Sequence, residues 1–252
     1  MNAEIIRARL TECGLACDAA QAEALCRYHA LLLDWNTRMD LTAVTDEQDM
    51  LDRHYVDSLL PLAVPGLIPE TGSLIDVGTG AGFPGMPLAI FRPGLRVTLL
   101  DAQQKRLSFL RAVADELGLD NITLLHARAE DAARDPACRE RFDLATARAV
   151  AAVPVLAEYL LPFVSPGGLA LCWKGPALAE ELPQGRRAAL ILGGRVEEAI
   201  PCAFPGRDWQ HSLLPIRKTT PTPKKYPRKA GTPGREPLGS TIAYKPMDKM
   251  RQ

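Results

Sequence analysis

The sequence is poor in aromatic residues, and it lacks both Cys-x-x-Cys pairs and long hydrophobic runs. Phe, Trp and Tyr make up 6% of its 252 residues. No apolar stretch reaches the length of a membrane-spanning helix, and Met1–Arg7 lacks the apolar core of a secretory signal. Disulfides are rare in proteins that stay inside the cell, so we expect the six cysteines to be unpaired. These absences favour a cytoplasmic globular protein without a membrane partner.

The chain also lacks net charge, but its charges are unevenly distributed. It has 30 basic and 30 acidic residues, yet residues 217–252 hold 10 Lys and Arg against 2 Asp and Glu. The basic residues before position 236 are Arg217, Lys218, Lys224, Lys225, Arg228, Lys229 and Arg235. Such a segment attracts polyanions, of which nucleic acid is the commonest in a cell. A solvated basic tail without a partner is the alternative interpretation.

Glycine and proline separate segments that alternate between helical and strand patterns. Apolar residues have helical spacing in residues 3–62, with one helix expected over 18–35 and another over 46–60. Strands are expected at 74–78, 95–100, 122–126, 143–148, 168–174, 195–202 and 211–217. Helices are expected between them, at 85–91, 103–117, 130–140, 153–163 and 177–191. This alternation is typical of an α/β protein with a doubly wound, mostly parallel sheet.

The same pattern divides the chain into three parts. We expect an N-terminal helical segment over residues 1–70, packed on an α/β core over residues 71–218. A basic C-terminal arm and tail follow over residues 219–252. The stretch 219–237 is rich in Pro, Thr, Lys and Gly, which favours a loop or an ordered arm over a helix.

A glycine-rich segment follows the first expected strand. It reads Ser-Leu-Ile-Asp-Val-Gly-Thr-Gly-Ala-Gly-Phe-Pro-Gly over residues 73–85. Glycine permits φ > 0 and lets the backbone approach a ligand closely, as in nucleotide-binding α/β sheets. Asp76 precedes the first glycine and is expected to reach the ligand at the strand's carboxyl end. Asp101 ends the second strand, where a carboxylate can accept hydrogen bonds from ribose hydroxyls.

The same glycines leave another class of enzyme open. Gly80, Gly82 and Gly85 fit the GxGxxG pattern, and an acid about 20 residues further on completes a nicotinamide-dinucleotide fingerprint. Pro84 and Pro87 argue against it, because proline lacks the N–H donor with which a helix start binds pyrophosphate. A nicotinamide-dependent oxidoreductase is one alternative function. An RNA-binding module with a vestigial cofactor pocket is the other.

Several motifs along the chain are more specific than the glycine-rich loop. They are Trp35-Asn36, Met39-Asp40-Leu41-Thr42, Arg53-His54-Tyr55-Val56-Asp57-Ser58-Leu59, Phe142-Asp143, Arg148-Ala149 and Pro223-Lys-Lys-Tyr-Pro-Arg-Lys-Ala-Gly-Thr-Pro233. With the glycine-rich segment, they resemble the ribosomal small-subunit methyltransferase G family over about residues 20–239. The resemblance implies a Rossmann-like, class I S-adenosylmethionine-dependent methyltransferase. Its implied activity is methylation of guanine N7 in the 530 loop of 16S rRNA, naked or within the small ribosomal subunit.

The motifs also predict which residues form the site. The predicted binding site for S-adenosylmethionine consists of Asp76, Gly78, Gly80, Phe83, Asp101, Ala102, Gln103, Ala129, Glu130 and Arg148. The resemblance implies that residues 101–103 hold the ribose, that residues 129–130 lie beside the adenine, and that Arg148 faces the cleft. The RNA-binding candidates are Arg148, Lys224, Lys225, Tyr226, Arg228 and Lys229. Tyr226 can either stack on a base or pack on its own domain.

The sequence shows no convincing nucleophile and no acid–base pair. Guanine N7 carries a lone pair and no proton, so the implied reaction needs no general base, and no catalytic residue is assigned. His54 and Asp57 share one helical face, but two candidate ligands are too few for a metal site. A hydrogen bond from this helix to the sheet is the preferred interpretation, and substrate contact is the other. The tail over residues 240–252 has no assigned role.

Overall fold

The strands form one mostly parallel sheet in the computed structural model, which describes residues 1–240. They are β1 (Gly72–Val77), β2 (Leu95–Asp101), β3 (Ile122–His126), β4 (Phe142–Arg148), β5 (Val164–Lys174), β6 (Gly194–Val196), β7 (Ile200–Cys202) and β8 (His211–Lys218). Their order is β3-β2-β1-β4-β5-β8-β6, and β7 also pairs with β8. β1 to β5 are parallel, whereas β8 is antiparallel to β5, β6 and β7. The predicted sheet is confirmed.

The N-terminal helices precede the first strand along the chain. They are α1 (Ala3–Glu12), α2 (Ala19–Asn36), α3 (Glu47–Met50) and α4 (Asp57–Leu59), with a π-helical turn over Leu51–Val56 and a 3-10 turn over Leu60–Ala63. The α2 helix begins with the capping box of Asp18 and Gln21, in which each side chain binds the other residue's backbone N–H. The segment 46–60, expected to be one α-helix, is helical but combines α, π and 3-10 turns. π-Helical turns are rare overall, but those that do occur are often found at functional sites.

The remaining helices alternate with the strands, as expected. They are α5 (Gly85–Phe91), α6 (Gln104–Leu117), α7 (Ala129–Ala132), α8 (Val153–Leu160), α9 (Leu178–Ile191) and α10 (Thr232–Arg235). The helix expected over 130–140 ends after one turn, and Pro136 explains part of this because it disfavours helix before it. The strand expected over 195–202 is split into β6 and β7. Four residue steps from Val196 to Ile200 face three steps on β8, so one extra residue interrupts the pairing.

Both faces of the sheet are covered. On one face, α1, α2 and the π-helical turn share a hydrophobic cluster with the sheet, including Leu10, Leu25 and Leu99. On the other face, α8 and α9 form a second cluster that includes Leu156 and Ala188. The carboxyl ends of β1 to β4 lie at one edge of the sheet, and ligands of doubly wound sheets bind at that edge.

Candidate active site and RNA-binding surface

A cavity of about 1090 Å³ lies at the carboxyl ends of the parallel strands. Its wall includes Gly78, Gly80 and Phe83 after β1, Asp101, Ala102 and Gln103 at the end of β2, Ala129 and Glu130 after β3, and Arg148 at the end of β4. The structure therefore brings together every predicted cofactor-binding residue except Asp76. We call this space the cofactor cavity.

Asp76 does not line the cofactor cavity, because it is 1% exposed and lies behind the glycine-rich loop. Its Oδ2 accepts hydrogen bonds from Thr79 Oγ1 (2.6 Å) and from the backbone N–H of Gly85 (3.0 Å). Its Oδ1 accepts one from Thr146 Oγ1 (2.8 Å). Burial raises the pKa of Asp76, and these bonds oppose that rise. Contrary to the prediction, Asp76 does not face the ligand, because it is buried outside the cavity wall, and its hydrogen bonds position the loop instead.

This placement of Asp76 also bears on the dinucleotide alternative. The backbone N–H of Gly85 begins α5, and a pyrophosphate bound in the dinucleotide manner needs such N–H groups. In this protein the carboxylate of Asp76 occupies that donor. This N–H is therefore not free to bind a pyrophosphate.

Asp101 joins the loops that follow β1 and β2. Its Oδ2 accepts a hydrogen bond from the backbone N–H of Gly80 (3.0 Å), and its Oδ1 accepts one from that of Gln103 (2.8 Å). Gly80 has φ of 61°, a conformation that glycine adopts without strain. Arg106 Nη1 also donates to Asp101 Oδ2 (3.4 Å). An ionised carboxylate has about four lone-pair sites, so Asp101 retains capacity for a ligand hydroxyl. Its position fits the ribose of an adenosine-containing cofactor.

Glu130 connects the cofactor cavity to the C-terminal segment. Its Oε1 accepts a hydrogen bond from the backbone N–H of Gly231 (2.8 Å). Gly234 and Pro237, a few residues further on, contribute directly to the cavity wall. No local pattern around Gly234 and Pro237 indicated that residues so late in the chain would reach this site.

The Phe83 ring packs against an aromatic ring and a guanidinium group at the cavity wall. The ring of His54 lies 4.7 Å from that of Phe83 with an interplanar angle of 17°, and Arg148 Cζ lies 5.2 Å from the Phe83 centroid. Burial, together with the positive charge of the nearby Arg148, lowers the pKa of His54 to about 4. His54 is therefore neutral at neutral pH. Its Nε2 lies 2.8 Å from Thr42 Oγ1.

Asp57 links the N-terminal helices to the sheet, which confirms the predicted helix-to-sheet hydrogen bond at this residue. Arg148 Nη1, at the end of β4, donates to its Oδ2 (2.9 Å). His211 Nδ1, at the start of β8, lies 3.2 Å from its Oδ1. Trp173 Nε1, on β5, donates to its backbone carbonyl (2.8 Å). Three strands are thereby positioned against one residue, and Arg148 is held at the cavity.

The basic C-terminal segment has exposed and buried members. Lys224, Lys225, Lys229 and Arg235 are exposed. Residues 219–231 have no regular structure and α10 follows, so the prediction of a loop or an ordered arm in place of a helix is confirmed except for that one turn. Tyr226 is 8% exposed and belongs to the second hydrophobic cluster. The packing interpretation of Tyr226 is therefore correct, and base stacking is not available to a ring in that place.

Lys218 is not available for RNA, contrary to the sequence interpretation. It is 1% exposed, and its Nζ donates to Leu161 O (2.6 Å) and to Thr222 Oγ1. Glu140 Oε1 lies 3.1 Å from the same Nζ. Burial lowers the pKa of Lys218 to about 8. The cation fastens the beginning of the C-terminal segment to the core.

Arg228 is likewise engaged within the protein. Its Nη2 donates to Glu158 Oε2 (2.6 Å), and its backbone N–H donates to Glu158 Oε1 (2.7 Å). Glu158 is 0% exposed, so this is an ion pair with a fully buried carboxylate. The prediction that Arg228 contacts RNA is replaced by a structural role, because its guanidinium is needed to neutralise that charge.

Two absences concern membranes and metals. Within residues 1–240, no helix is both long and apolar enough to cross a bilayer. Over the same residues, no three His, Cys, Asp or Glu side chains come together as candidate metal ligands. The cysteines at positions 13, 17, 26, 138, 172 and 202 are free.

Comparison with known proteins identifies the family. The family model described as rRNA small subunit methyltransferase G (GidB) matches residues 21–208. A ribosomal RNA small subunit methyltransferase G from Alkaliphilus metalliredigens is 46% identical over 234 residues, which cover 93% of this chain and 98% of that protein. A protein of the same name from Leuconostoc citreum is 45% identical over 239 residues, covering 94% and 100%.

Solved structures agree on the fold. M. jannaschii TYW2, solved with AdoMet, superimposes with a TM-score of 0.51 at 14% identity, covering 71% of this chain and 79% of that one. P. horikoshii TYW2, solved with MeSAdo, gives a TM-score of 0.53 at 13% identity, covering 71% and 66%. These likenesses concern the fold alone, whereas the family model and the sequence relatives extend over most of the chain. The chain therefore belongs to the rRNA small subunit methyltransferase G family.

Proposed function

We propose that this protein transfers a methyl group from S-adenosylmethionine to N7 of a guanine in the 530 loop of 16S rRNA, as naked RNA or within the small ribosomal subunit. Family membership supports the reaction class. The open cofactor cavity is the observation that carries the proposal, because it lies at the ligand-binding edge of the sheet and is lined by the residues expected for this cofactor. Because rRNA is the substrate, we also propose that the protein acts in the cytoplasm.

The residues of the cofactor cavity have separate roles in this proposal. Asp101 accepts hydrogen bonds from the ribose hydroxyls, and Ala129 and Glu130 lie beside the adenine. Gly78 and Gly80 let the backbone approach the ligand closely. When bound, S-adenosylmethionine supplies a methyl group made electrophilic by its sulfonium charge.

The protein contributes substrate positioning and electrostatic stabilisation to the reaction, and it does not need to supply a general base. Guanine N7 has no proton to lose, so the protein needs only to hold the base with its lone pair directed at the methyl group. The exposed Lys224, Lys225, Lys229 and Arg235 are proposed to contact RNA phosphates, which fixes the register of the RNA on the protein. Both tasks converge at the same end of the sheet, since Gly234 and Pro237 of the basic segment line the cofactor cavity.

Replacing Asp101 with alanine tests the proposed cofactor site. We expect Asp101→Ala to weaken binding of S-adenosylmethionine by at least about tenfold while leaving RNA affinity unchanged, since one charged hydrogen-bond acceptor is worth about 1.5–3 kcal/mol. Calorimetric titration with S-adenosylmethionine measures the cofactor affinity, and a separate titration with NADH tests for dinucleotide binding. Filter binding of 16S rRNA measures the RNA affinity. Binding of NADH alone would support the oxidoreductase. Tight RNA binding without methyl transfer to naked or assembled RNA would support the RNA-binding module.

A further inference from the structure

A second cavity, of about 310 Å³, adjoins the cofactor cavity. The two share His54, Arg148 and Ala149 in their walls. The rest of the second wall consists of Val44, Arg53, Asp57, Trp173, Lys174, Gly175 and His211. We propose that the second cavity receives the target guanine and that Arg148 donates a hydrogen bond to its O6; this inference rests on the proposed function. We call it the base cavity.

The position of the base cavity suits an acceptor base. Arg148 and Trp173 stand at the ends of β4 and β5, at the same edge of the sheet as the cofactor cavity. A ligand in one cavity meets a ligand in the other at the shared wall, which methyl transfer requires. The volume is at the lower end of the range for small-molecule pockets, which suits one nucleobase rather than a stretch of nucleic acid.

The hydrogen-bond capacity of Arg148 favours guanine. Its Nη1 donates to Asp57 Oδ2 and to the backbone carbonyl of Arg53. A guanidinium has five N–H donors, so donors on Nε and Nη2 remain for a ligand. Guanine presents O6 as an acceptor beside N7, whereas adenine presents an N6 amino donor there. A donor fixed at this wall therefore pairs with guanine and opposes adenine.

The geometry of a single hydrogen bond matters for the reaction. An arginine that binds guanine in the usual bidentate manner occupies both O6 and N7. Such an arrangement would consume the N7 lone pair that must attack the methyl group. One hydrogen bond to O6 leaves N7 free. The ion pair with Asp57, which is itself held by His211 and is 4% exposed, fixes the guanidinium for this purpose.

A pair of glycines allows each cavity to be obstructed separately. Gly175 lines only the base cavity, and Gly234 lines only the cofactor cavity. A Cβ atom at either position meets no heavy atom within 4 Å, so the backbone itself does not obstruct a side chain there. The matched variants are Gly175→Phe and Gly234→Phe. Thermal unfolding checks that both remain folded, and a Gly175→Ala variant serves as the milder replacement.

The two variants are expected to separate cofactor binding from base entry. Gly175→Phe is expected to bind S-adenosylmethionine within twofold of the wild-type protein and to lose methyl transfer to 16S rRNA by about 10²-fold or more, since misplacement by about 1 Å has that effect. Gly234→Phe is expected to lose cofactor affinity. Wild-type methyl transfer by Gly175→Phe would overturn the inference, as would loss of cofactor binding in that variant. Absence of methyl transfer by the wild-type protein would instead overturn the proposed function.

Base analogues test the assignment of O6. RNA prepared by splinted ligation carries guanosine, inosine or 2,6-diaminopurine at the methylated position. Inosine keeps O6 and N7, whereas 2,6-diaminopurine keeps N7 but replaces O6 with an amino group. We expect inosine to be methylated at nearly the guanosine rate and 2,6-diaminopurine about 10- to 100-fold more slowly. Equal rates for these two analogues would refute the role given to Arg148.

Discussion

The ion pair between Arg228 and Glu158 makes a clear prediction, because sequence and structure assign Arg228 opposite roles. As an RNA contact, Arg228 could be removed without harm to the fold. In the structure, Arg228→Ala leaves the carboxylate of Glu158 fully buried with only the backbone N–H at 2.7 Å as partner. Lys229 is exposed and adjacent in sequence, so Lys229→Ala is the matched control.

The size of the effect follows from the burial of the pair. Removing one partner of a buried ion pair costs about 3–5 kcal/mol of unfolding free energy. The Arg228 side chain retains 23% exposure, so water reaches one end of the pair and we expect the lower value, about 3 kcal/mol. For a protein of this size that loss lowers Tm by about 6–12 °C. Lys229→Ala is expected to change stability by less than about 0.5 kcal/mol.

Thermal unfolding followed by circular dichroism measures the stability, and filter binding of 16S rRNA measures the RNA affinity. A Tm for Arg228→Ala within a degree of the wild-type value, together with an RNA affinity as low as that of Lys229→Ala, would refute the structural role. The double variant Arg228→Ala/Glu158→Gln adds a further check. Its stability should partly recover, because a neutral buried amide costs less than an unpaired carboxylate.

Three further predictions follow from other parts of the molecule. Replacing Lys224, Lys225 and Lys229 together with alanine should reduce the slope of log affinity against log salt by about 2–3, and an unchanged slope would show that these lysines contact no phosphate. Asp76→Ala should weaken S-adenosylmethionine binding and lower stability by several kcal/mol, because it leaves one buried N–H and two hydroxyls without their acceptor; calorimetry showing unaltered affinity would contradict its positioning role. Burial lowers the pKa of His29 to about 4, below its ordinary value near 6.5, so the unfolded chain binds more protons between these values. Stability should rise with pH from about 4 to 6.5, and denaturant titrations should show a shallower rise in His29→Gln.

The fold and the centre of the site could be predicted because their signals are local. Strands alternate with helices at short range, and the glycines and Asp101 occur where parallel strands must end. Helical spacing placed His54 and Asp57 on one face, and the preferred helix-to-sheet hydrogen bond is found at Asp57.

The failures share another cause. Lys218 and Arg228 lie in a stretch with the composition of a solvated basic arm. Their actual environment is set by residues distant in the chain, such as Glu140 and Glu158, and nothing in the local sequence specifies such partners. The wrong prediction for Asp76 has a different cause. A carboxylate at a strand end can face either the ligand or the loop. The positions of the neighbouring hydrogen-bond donors decide between these two orientations.

The hydrogen bond between Gly231 and Glu130 has a thermodynamic consequence. The main chain that carries the exposed lysines also forms part of the enclosure around the methyl donor. If the donor changes the affinity for RNA by some factor, then RNA must change the affinity for the donor by the same factor, because linkage is reciprocal. The demethylated cofactor lacks the sulfonium charge, so under such coupling its exchange for fresh donor and the release of modified RNA would depend on each other.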